Sequence, residues 1–345
     1  MAEKKPSIND IAKHLKVAKS TVSFIINGKA EAHRISKEQE QRVLNYVKEI
    51  GFKPNYMAQS LATGRSNSIG LIVENIGDSF FGPIALMIEK QAKKSGYRII
   101  YSSTLGDTQA ALSVLDLFRD TKVDGFIVAP PLHIEEQIKT IIDDGVPVVI
   151  FDRMLEGVET DYVGTNNREM VVEACEHLLK QGFQHIAFVS LASSQSQMKE
   201  RLDGYLSCVG TCGQSPIVLE MDYNDEGDSR KKEIIKFLQS HPQIDAIVFA
   251  TNYLCISGLE AIRELGLKIP EQIGIVVFDE HDLFRLFTPS ITSIVQPLEQ
   301  LSAAIFDNLL KRINGKSSTH GPNVQVIPSK LIIRESSIKP KKLRK

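Results

Sequence analysis

The sequence predicts an N-terminal all-α helix-turn-helix domain followed by an α/β body with two parallel-sheet lobes. Between Ser7 and Asn27, two short helical patterns flank a tight bend. Beyond Asn67, short apolar runs alternate with helix-length amphipathic segments, an order typical of βαβ units around parallel sheets. The 345 residues, 42% of them hydrophobic, suffice for two or three domains with sizeable cores.

The first helix begins at Ser7, whose spacing to Asp10 is that of a capping box. Apolar residues then recur on one face at helical spacing, at Ile8, Ile11, Ala12 and Leu15. Lys16 and Val17 make the bend. These features predict a short amphipathic helix that ends at the bend.

The second helix presents an apolar rear made by Val22 with either Ile25 or Ile26. Its other positions are mostly polar, which suits a recognition helix whose N-terminal residues reach base edges while its rear packs on the first helix. The alternative is an ordinary helical hairpin with a solvated polar face.

A third helix is predicted between Ser36, which caps it with Gln39 in a second capping-box pattern, and Gly51, which stops it. A fourth, barely two turns long, is predicted over 56–62 with Asn55 as its cap. Such a short helix is unstable alone in water. It therefore needs DNA or its twin in a dimer as a partner.

Charge is unevenly distributed along a chain that is nearly neutral overall. Residues 1–66 hold 12 basic and 6 acidic residues, whereas residues 67–338 hold 24 basic and 36 acidic ones. The tail 339–345 adds five basic residues and is interpreted as a solvated, disordered end. A basic module on an acidic body indicates phosphate contact by the module and a different task for the body.

The body contains seven short apolar runs bounded by Gly, Pro and Asp, each predicted to be a strand of a βαβ unit. They span 69–73, 98–103, 125–130, 147–151, 185–190, 246–250 and 274–278. A break near 161–167 suggests two similar lobes. Because ligands of open α/β sheets bind beyond the carboxyl ends of the strands, two facing lobes would form a cleft lined from both sides.

Several function classes lack support in the sequence. The motifs GxGxxG, GxxxxGK[ST], GxSxG and HExxH are absent, so we expect neither an enzyme nor a catalytic residue, cofactor or metal site. The cysteines are interpreted as buried reduced thiols; they are Cys175, Cys208, Cys212 and Cys255. The N-terminal segment has no apolar core of a signal peptide and no apolar run approaches a membrane span, so we expect a cytoplasmic protein.

The order and spacing of many segments closely resemble the lactose-repressor/galactose-repressor (LacI-type) family of bacterial transcription regulators. The resemblance runs from TVSFIING at 21–28 and the segment 42–73 to about residue 335. It implies a body like periplasmic sugar-binding proteins, a homodimer or dimer of dimers, a near-palindromic double-stranded DNA operator, and a small effector in the cleft. A solute-binding protein without catalytic or regulatory role is the alternative, although such a protein would not need residues 1–65.

The resemblance also implies DNA-binding residues. Those that match base-contacting positions are Lys19, Ser20 and Phe24, and those that match phosphate-contacting positions are Thr21, Ser23 and Asn27. In the hinge, Leu61 matches an apolar wedge that enters the minor groove and kinks the duplex, and Asn55 and Ala58 match its helical neighbours. Ser7 and Tyr56 complete the predicted set. The alternatives are that Leu61 is a plain core residue of the linker and that Phe24 packs inward.

Two departures affect the recognition helix. Ala18 stands where many relatives carry a capping serine, and Phe24 stands where arginine is frequent. A phenyl ring can offer a thymine methyl group an apolar contact but no hydrogen bond. We therefore expect a half-site that differs from those of the best-known relatives.

Seven residues match effector-contacting positions of the family: Phe80, Phe81, Asp152, Arg153, Arg201, Asn252 and Asp279. Charged planar groups beside an aromatic face suit a sugar or a derivative of one. The alternative is ordinary structure, with strand-end turns, a loop cap and core phenylalanines. Tyr253, Ser79 and Asn166 depart from the residues common in relatives, which leaves a modified or acidic sugar, another metabolite and a partner protein open.

The predicted domains are a helix-turn-helix domain at 1–53, a hinge helix and linker at 54–66, and a two-lobed effector-binding and dimerisation domain at 67–338. The first lobe takes 67–164 and 296–326, the second lobe takes 165–295 and 327–338, and the basic tail is 339–345. The sequence predicts a transcriptional repressor whose operator affinity is modulated by its effector. Three alternatives stay open. The protein could activate in place of repressing, the effector could favour release in place of retention of DNA, and the protein could be a tetramer in place of a dimer.

Overall fold

A computed structural model describes residues 6–52, 65–223, 227–315 and 321–340. The chain forms two compact units, Met1–Ser66 and Asn67–Lys345. The first unit is helical, and the second contains two sheets of six strands each, covered by helices. The predicted fold class is confirmed.

Three helices build the first unit: α1 (Ile8–Leu15), α2 (Lys19–Ile26) and α3 (Lys37–Glu49). The capping box of α1 is present, since the Ser7 hydroxyl accepts from the Asp10 amide and the Asp10 carboxylate accepts from the Ser7 amide. Such a cap satisfies backbone donors that the first turn leaves unpaired. The first unit therefore begins with a helix that its own sequence stabilises.

The bend after α1 forms because Lys16 takes a left-handed conformation, with φ 51° and ψ 44°. The bend brings Val22 and Ile25 of α2 against Ile11 of α1 and Val43 of α3, all of them buried. Ile25, not Ile26, is thus the second buried position on the rear of α2. The polar side of α2 remains outside this core.

The first lobe is built on an all-parallel sheet in the order β11-β5-β4-β3-β1-β2. Its strands are β1 (Ser68–Val73), β2 (Arg98–Ser103), β3 (Gly125–Val128), β4 (Val148–Phe151), β5 (Asp161–Thr165) and β11 (Val324–Ile327). Its helices are α4 (Phe81–Lys94), α5 (Thr108–Asp120), α6 (Glu135–Asp143) and α12 (Leu298–Ile313). Helices cover both faces of the sheet with separate apolar clusters, which explains the nearly continuous apolar runs of the central strands.

The second lobe has the sheet order β12-β10-β9-β8-β6-β7, in which only β12 is antiparallel to its neighbour. Its strands are β6 (Ile186–Leu191), β7 (Ile217–Met221), β8 (Ala246–Phe249), β9 (Gly274–Phe278), β10 (Thr292–Val295) and β12 (Lys330–Ile332). Its helices are α7 (Asn167–Lys180), α8 (Ser196–Thr211), α9 (Asp228–Ser240), α10 (Asn252–Glu264) and α11 (Asp282–Leu286), with a 3-10 turn at Glu335–Ser337.

The chain passes between the lobes three times, after β5, after β10 and after β11. Side chains join these crossings: the Thr165 hydroxyl donates to Gln296 Oε1 at 3.1 Å, and the Ser329 amide donates to Asn166 Oδ1 at 2.8 Å. Asn166, noted in the sequence as a departure from relatives, therefore joins two of these crossings. The three segments together form a hydrogen-bonded hinge between the lobes.

The seven apolar runs all form strands, and β5 forms at the strand-like DYVG of the break near 161–167. In contrast, β7, β10, β11 and β12 were not predicted as strands. β11 and β12 are short, and their residues are exposed or half-buried, so neither shows an apolar run. The interpretation of all four cysteines as buried was wrong for Cys212, which is exposed at the end of α8. Within the described ranges, no helix is both long enough and apolar enough to cross a membrane.

Candidate functional site

Helix α2, the predicted recognition helix, presents its first residues to solvent. Lys19 and Ser20 are exposed, whereas Thr21, Ser23 and Asn27 are half-buried. Asn27 ends the helix, and its side-chain amide donates to the Ser23 hydroxyl at 3.3 Å. The helix start has no side-chain cap at Ala18, which leaves backbone N–H groups of the first turn available to an anion such as a phosphate.

Phe24 lies neither in the core nor free in solvent. Its ring is half-buried and stacks on the His33 imidazole, with the ring centroids 3.4 Å apart and an interplanar angle of 11°. The inward-packed alternative is therefore not what the structure shows. His33 did not appear among the predicted DNA-binding residues because no local periodicity connects it to α2.

Ser7 is exposed, but its hydroxyl is engaged with the Asp10 carboxylate at 2.6 Å in the cap of α1. This cap is the role of Ser7 that the structure describes. Four residues of the predicted hinge helix at 54–66 lie outside the described residues. They are Asn55, Tyr56, Ala58 and Leu61, which were predicted to contact DNA.

In the body, all seven predicted effector-contacting residues line one small cavity between the lobes. Its volume is about 40 Å³, which is room for a few water molecules. Phe80 and Phe81 form an edge-to-face pair with centroids 4.9 Å apart and are both buried. They thus belong to the core of the first lobe as well as to the wall of the cleft.

Both lobes place an Asp directly after a central strand, in the same backbone conformation. Asp152 follows β4 with φ 66°, and Asp279 follows β9 with φ 77°. Left-handed backbone is uncommon for residues other than Gly and is tolerated by Asp. The short segments Phe151-Asp152 and Phe278-Asp279 therefore act as equivalent turns that turn the chain at the carboxyl ends of the two sheets, where the cleft lies.

Arg153 lies at the centre of the charges on the first-lobe side. It pairs with Glu74 through Nη2 and with Asp152 through Nε at 3.2 Å, and all three side chains are at least nine-tenths buried. Burial raises the pKa of Asp152, while Arg153 and Arg201 oppose that rise. Glu74 and Asp152 are thus two buried carboxylates that form ion pairs with the same guanidinium, that of Arg153.

Arg201 has the corresponding position in the second lobe. Its Nε donates to Asn167 Oδ1 at 2.9 Å, its Nη1 donates to the Ala250 carbonyl at 2.7 Å, and Nη1 lies 3.7 Å from Asp279 Oδ2. The guanidinium carbon also lies 3.6 Å from the centre of the Phe278 ring. Arg201 is therefore held rigidly by the lobe that it stabilises.

Asp279 connects the cleft to the hinge. Gln296 Nε2 donates to Asp279 Oδ1 at 2.6 Å, and the same Gln296 accepts from Thr165 at the first crossing. Burial raises the pKa of Asp279 to about 6, against the opposing effects of Arg201 and Gln296. The carboxylate thus gains a proton as the pH falls through about 6 and loses its capacity as a charged acceptor.

Direct hydrogen bonds also cross the cleft. Asn252 Nδ2 of the second lobe donates to Ser79 Oγ of the first at 2.7 Å, and Ser79 Oγ donates to the Glu280 carbonyl at 3.2 Å. Ser79, noted in the sequence as a departure, therefore joins the lobes.

Tyr253, noted in the sequence as a departure, also lines this cavity. Sequence reasoning missed the other residues that line it, which are Glu74, Asp78, Gln197, Met198 and Thr251. Glu74 could have been found, because an acid directly after the apolar strand β1 stands at the same sheet edge as Asp152. Gln197 and Met198 carried no comparable signal, since helix α8 brings them to the cleft only in the folded lobe.

Comparison with known proteins identifies the family. Residues 7–55 match the family model described as bacterial regulatory proteins, lacI family, and residues 175–337 match a periplasmic binding protein-like domain. The ribose operon repressor of Halalkalibacterium halodurans is 30% identical over 335 residues, which cover 96% of this chain and 97% of that protein. The chain belongs to the lacI family of bacterial regulators. This lacI-family protein is therefore a DNA-binding regulator of transcription and not an enzyme.

Other proteins and solved structures are similar to most of this chain. The transcriptional regulator KdgR of Bacillus subtilis is 29% identical across 96% of this chain and 97% of that protein. Among solved structures, a lac repressor dimer bound to operator and an anti-inducer has a TM-score of 0.84 at 21% identity, covering 97% of this chain and 100% of that one. A LacI regulator of Alkaliphilus metalliredigens complexed with D-xylulofuranose has a TM-score of 0.70 at 25% identity, covering 78% and 98%. The family membership decides against a solute-binding protein without a regulatory role.

Proposed function

We propose that this regulator acts in the cytoplasm as a homodimeric repressor, whose affinity for a near-palindromic operator changes when a small sugar or sugar derivative binds between the lobes. The observation that carries the proposal is the meeting of all seven predicted effector-contacting residues at one cavity. Four of them, Arg153, Arg201, Asp152 and Asp279, present charged groups to that cavity, beside the aromatic rings of Phe80 and Phe81. Polar groups converging beside an aromatic wall suit a polyhydroxylated ligand.

The hinge between the lobes would transmit ligand binding in the cleft to the arrangement of the two lobes. A ligand hydroxyl that bonds Asp279 would compete with the Gln296 amide, which also accepts from Thr165 at the crossing between the lobes. The ligand would likewise act on the Asn252–Ser79 bond that joins the lobes directly. Binding would thus shift the equilibrium between lobe arrangements, and the operator would bias the same equilibrium in return.

Support for a homodimer comes from apolar side chains left exposed on the first lobe. Leu86 of α4 and Ile100 and Tyr101 of the edge strand β2 are 51%, 38% and 37% exposed. Helix α4 and strand β2 are in contact, so these side chains lie on neighbouring elements. Exposed apolar groups on an edge strand favour association.

The test is an operator titration in the presence and absence of a ligand found by thermal-shift screening of sugars and their derivatives. We expect dimeric binding that weakens steeply with salt, because the basic N-terminal module displaces counterions from phosphates. We also expect the ligand to change operator affinity about 5- to 150-fold. A ligand that raises the melting temperature but leaves operator affinity unchanged would contradict the coupling.

Substitution Phe24→Arg should change which half-site bases are preferred, by about 1–3 kcal/mol per altered contact, because arginine can make hydrogen bonds to guanine that a phenyl ring cannot. Selection of binding sites from a random DNA pool with both proteins measures this. His33→Ala is the matched control, since it removes the stacking partner and keeps the phenyl ring. If Phe24→Arg and wild type select the same consensus, Phe24 does not contact bases.

A further inference from the structure

The cleft has two neighbouring chambers with different volumes. The inner chamber of about 40 Å³ contains the residues described above, and an outer chamber of about 260 Å³ opens beside it. The two share Glu74, Asp78, Asn252 and Tyr253 as walls. A ligand larger than a few waters exceeds the inner chamber, and Asp78 lines both that chamber and the outer one.

Asp78 differs from the other carboxylates of the inner chamber. Glu74 and Asp152 are paired with Arg153, and Asp279 is paired with Arg201. Within the described part of the chain, Asp78 has no ion-pair partner: Oδ1 accepts the Phe80 amide at 2.7 Å, and Oδ2 has a contact of 3.5 Å with the Asn252 amide. The Phe81 amide also bonds this carboxylate. Its described donors are therefore all neutral, and no described cation balances its charge.

A second, independent observation favours a ligand donor in the inner chamber. Gln197 lines the inner chamber and is only 2% exposed. Its Nε2 donates to Gln195 Oε1 at 3.2 Å, but its own Oε1 has no hydrogen-bond partner among the described residues. A buried acceptor without a partner is costly, so a ligand that donates a hydrogen bond to Oε1 would remove this cost.

The charge of the inner chamber disfavours an anionic ligand. Four carboxylates face two guanidiniums there, and both guanidiniums are engaged by the protein. In the outer chamber, Arg230 donates to the Tyr223 carbonyl and lies 4.8 Å from the centre of the Tyr253 ring. The Arg230 Nε has no hydrogen-bond partner among the described residues. Acceptors and negative charge are therefore in excess in the inner chamber, whereas the outer chamber also offers a donor.

We propose that the effector is an amine-bearing sugar, whose protonated amino group binds Asp78 and whose hydroxyl groups bind in the inner chamber. The proposal rests on the proposed function and specifies its ligand class. An ammonium group supplies the positive charge that no described residue gives to Asp78, together with additional hydrogen-bond donors. A sugar acid, which the sequence alone left open, would add a fifth negative charge to the inner chamber.

The test uses the full-length dimer and matched triplets of hexoses: glucosamine, glucose and glucuronate, and the corresponding galactose and mannose series. We expect the amino member of at least one triplet to bind about 10- to 100-fold more tightly than its neutral member, the gain of a charge-assisted hydrogen bond. Calorimetry measures the affinities. Asp78→Asn keeps the acceptor for the Phe80 amide and should reduce this preference to about threefold or less, whereas Asp116→Asn on the exposed side of α5 should preserve it.

The outcomes separate this inference from the proposed function. Tighter binding of a neutral or acidic sugar that also changes operator affinity overturns the amine and leaves the proposed function standing. An amine preference that survives Asp78→Asn overturns the assignment to Asp78. If no member of the panel binds while the operator is still bound, both the amine-bearing ligand and the sugar effector are overturned.

Discussion

Substitution Arg201→Ala is expected to lower the free energy of unfolding by about 3–5 kcal/mol and to abolish the effector response. Removing one partner of a buried pair leaves the other charge uncompensated. Here Asp279 would lose its cation, while Asn167 and the Ala250 carbonyl would each lose a donor. Urea unfolding measures the stability, and operator titration with and without ligand measures the response.

Asp279→Asn is the matched control for that substitution. It retains an oxygen that can accept from Gln296 and leaves the bonds from Arg201 to Asn167 and Ala250 in place. We expect it to weaken the effector response while costing less stability than Arg201→Ala. An Arg201→Ala protein as stable as the wild type, or one with an unchanged response, would contradict the assigned role.

Substitution Arg153→Met is expected to destabilise the protein by a similar amount, about 3–5 kcal/mol, because Glu74 and Asp152 then share a buried site without a cation. The effector response should also disappear, since Arg153 lines the cleft. Urea unfolding and operator titration again measure the two effects.

A second substitution in the same protein separates structure from binding. Arg153→Met with Glu74→Gln removes one charge of each sign, and replacing a buried ion pair by neutral groups of similar size is often tolerated. We expect the double variant to recover a large part of the lost stability while its effector response stays absent. Recovery of both would show that Arg153 acts only on stability, and recovery of neither would show that the Glu74 pair is not what Arg153 stabilises.

Local features of the fold were readable from the sequence because their causes are local. The Ser7–Asp10 cap, the stop of α3 at Gly51 and the central strands depend on spacing within a few residues. The same holds for Asp152 and Asp279, which stand directly after apolar runs and so could be placed at the carboxyl ends of strands. The prediction that both residues lie in a cleft followed from the general position of ligand sites in parallel sheets.

Edge elements were not readable, because the residues of β11 and β12 take their pairing from strands far away in the chain. β11 pairs with β5, and β12 pairs with β10, after the chain has returned through the hinge. Neither strand carries a buried apolar run. Strand pairing of this kind is a tertiary property, because backbone hydrogen bonds between distant strands leave no pattern in the side chains.

The amino-acid sequence by itself determined the helix-turn-helix module, the two-lobed parallel body, the family resemblance and the seven residues that meet at the cleft. Only the tertiary structure decided which charges are paired. Glu74 and Arg153 are 79 positions apart, and Phe24 stacks on His33 across a turn. The physical reason is that an acidic or aromatic residue is the same in the sequence whether or not its side chain has a partner in the folded protein. Partnership depends on distances that folding alone creates. Among the described residues, these distances pair Arg201 with Asp279 and leave the Asp78 carboxylate without a cation.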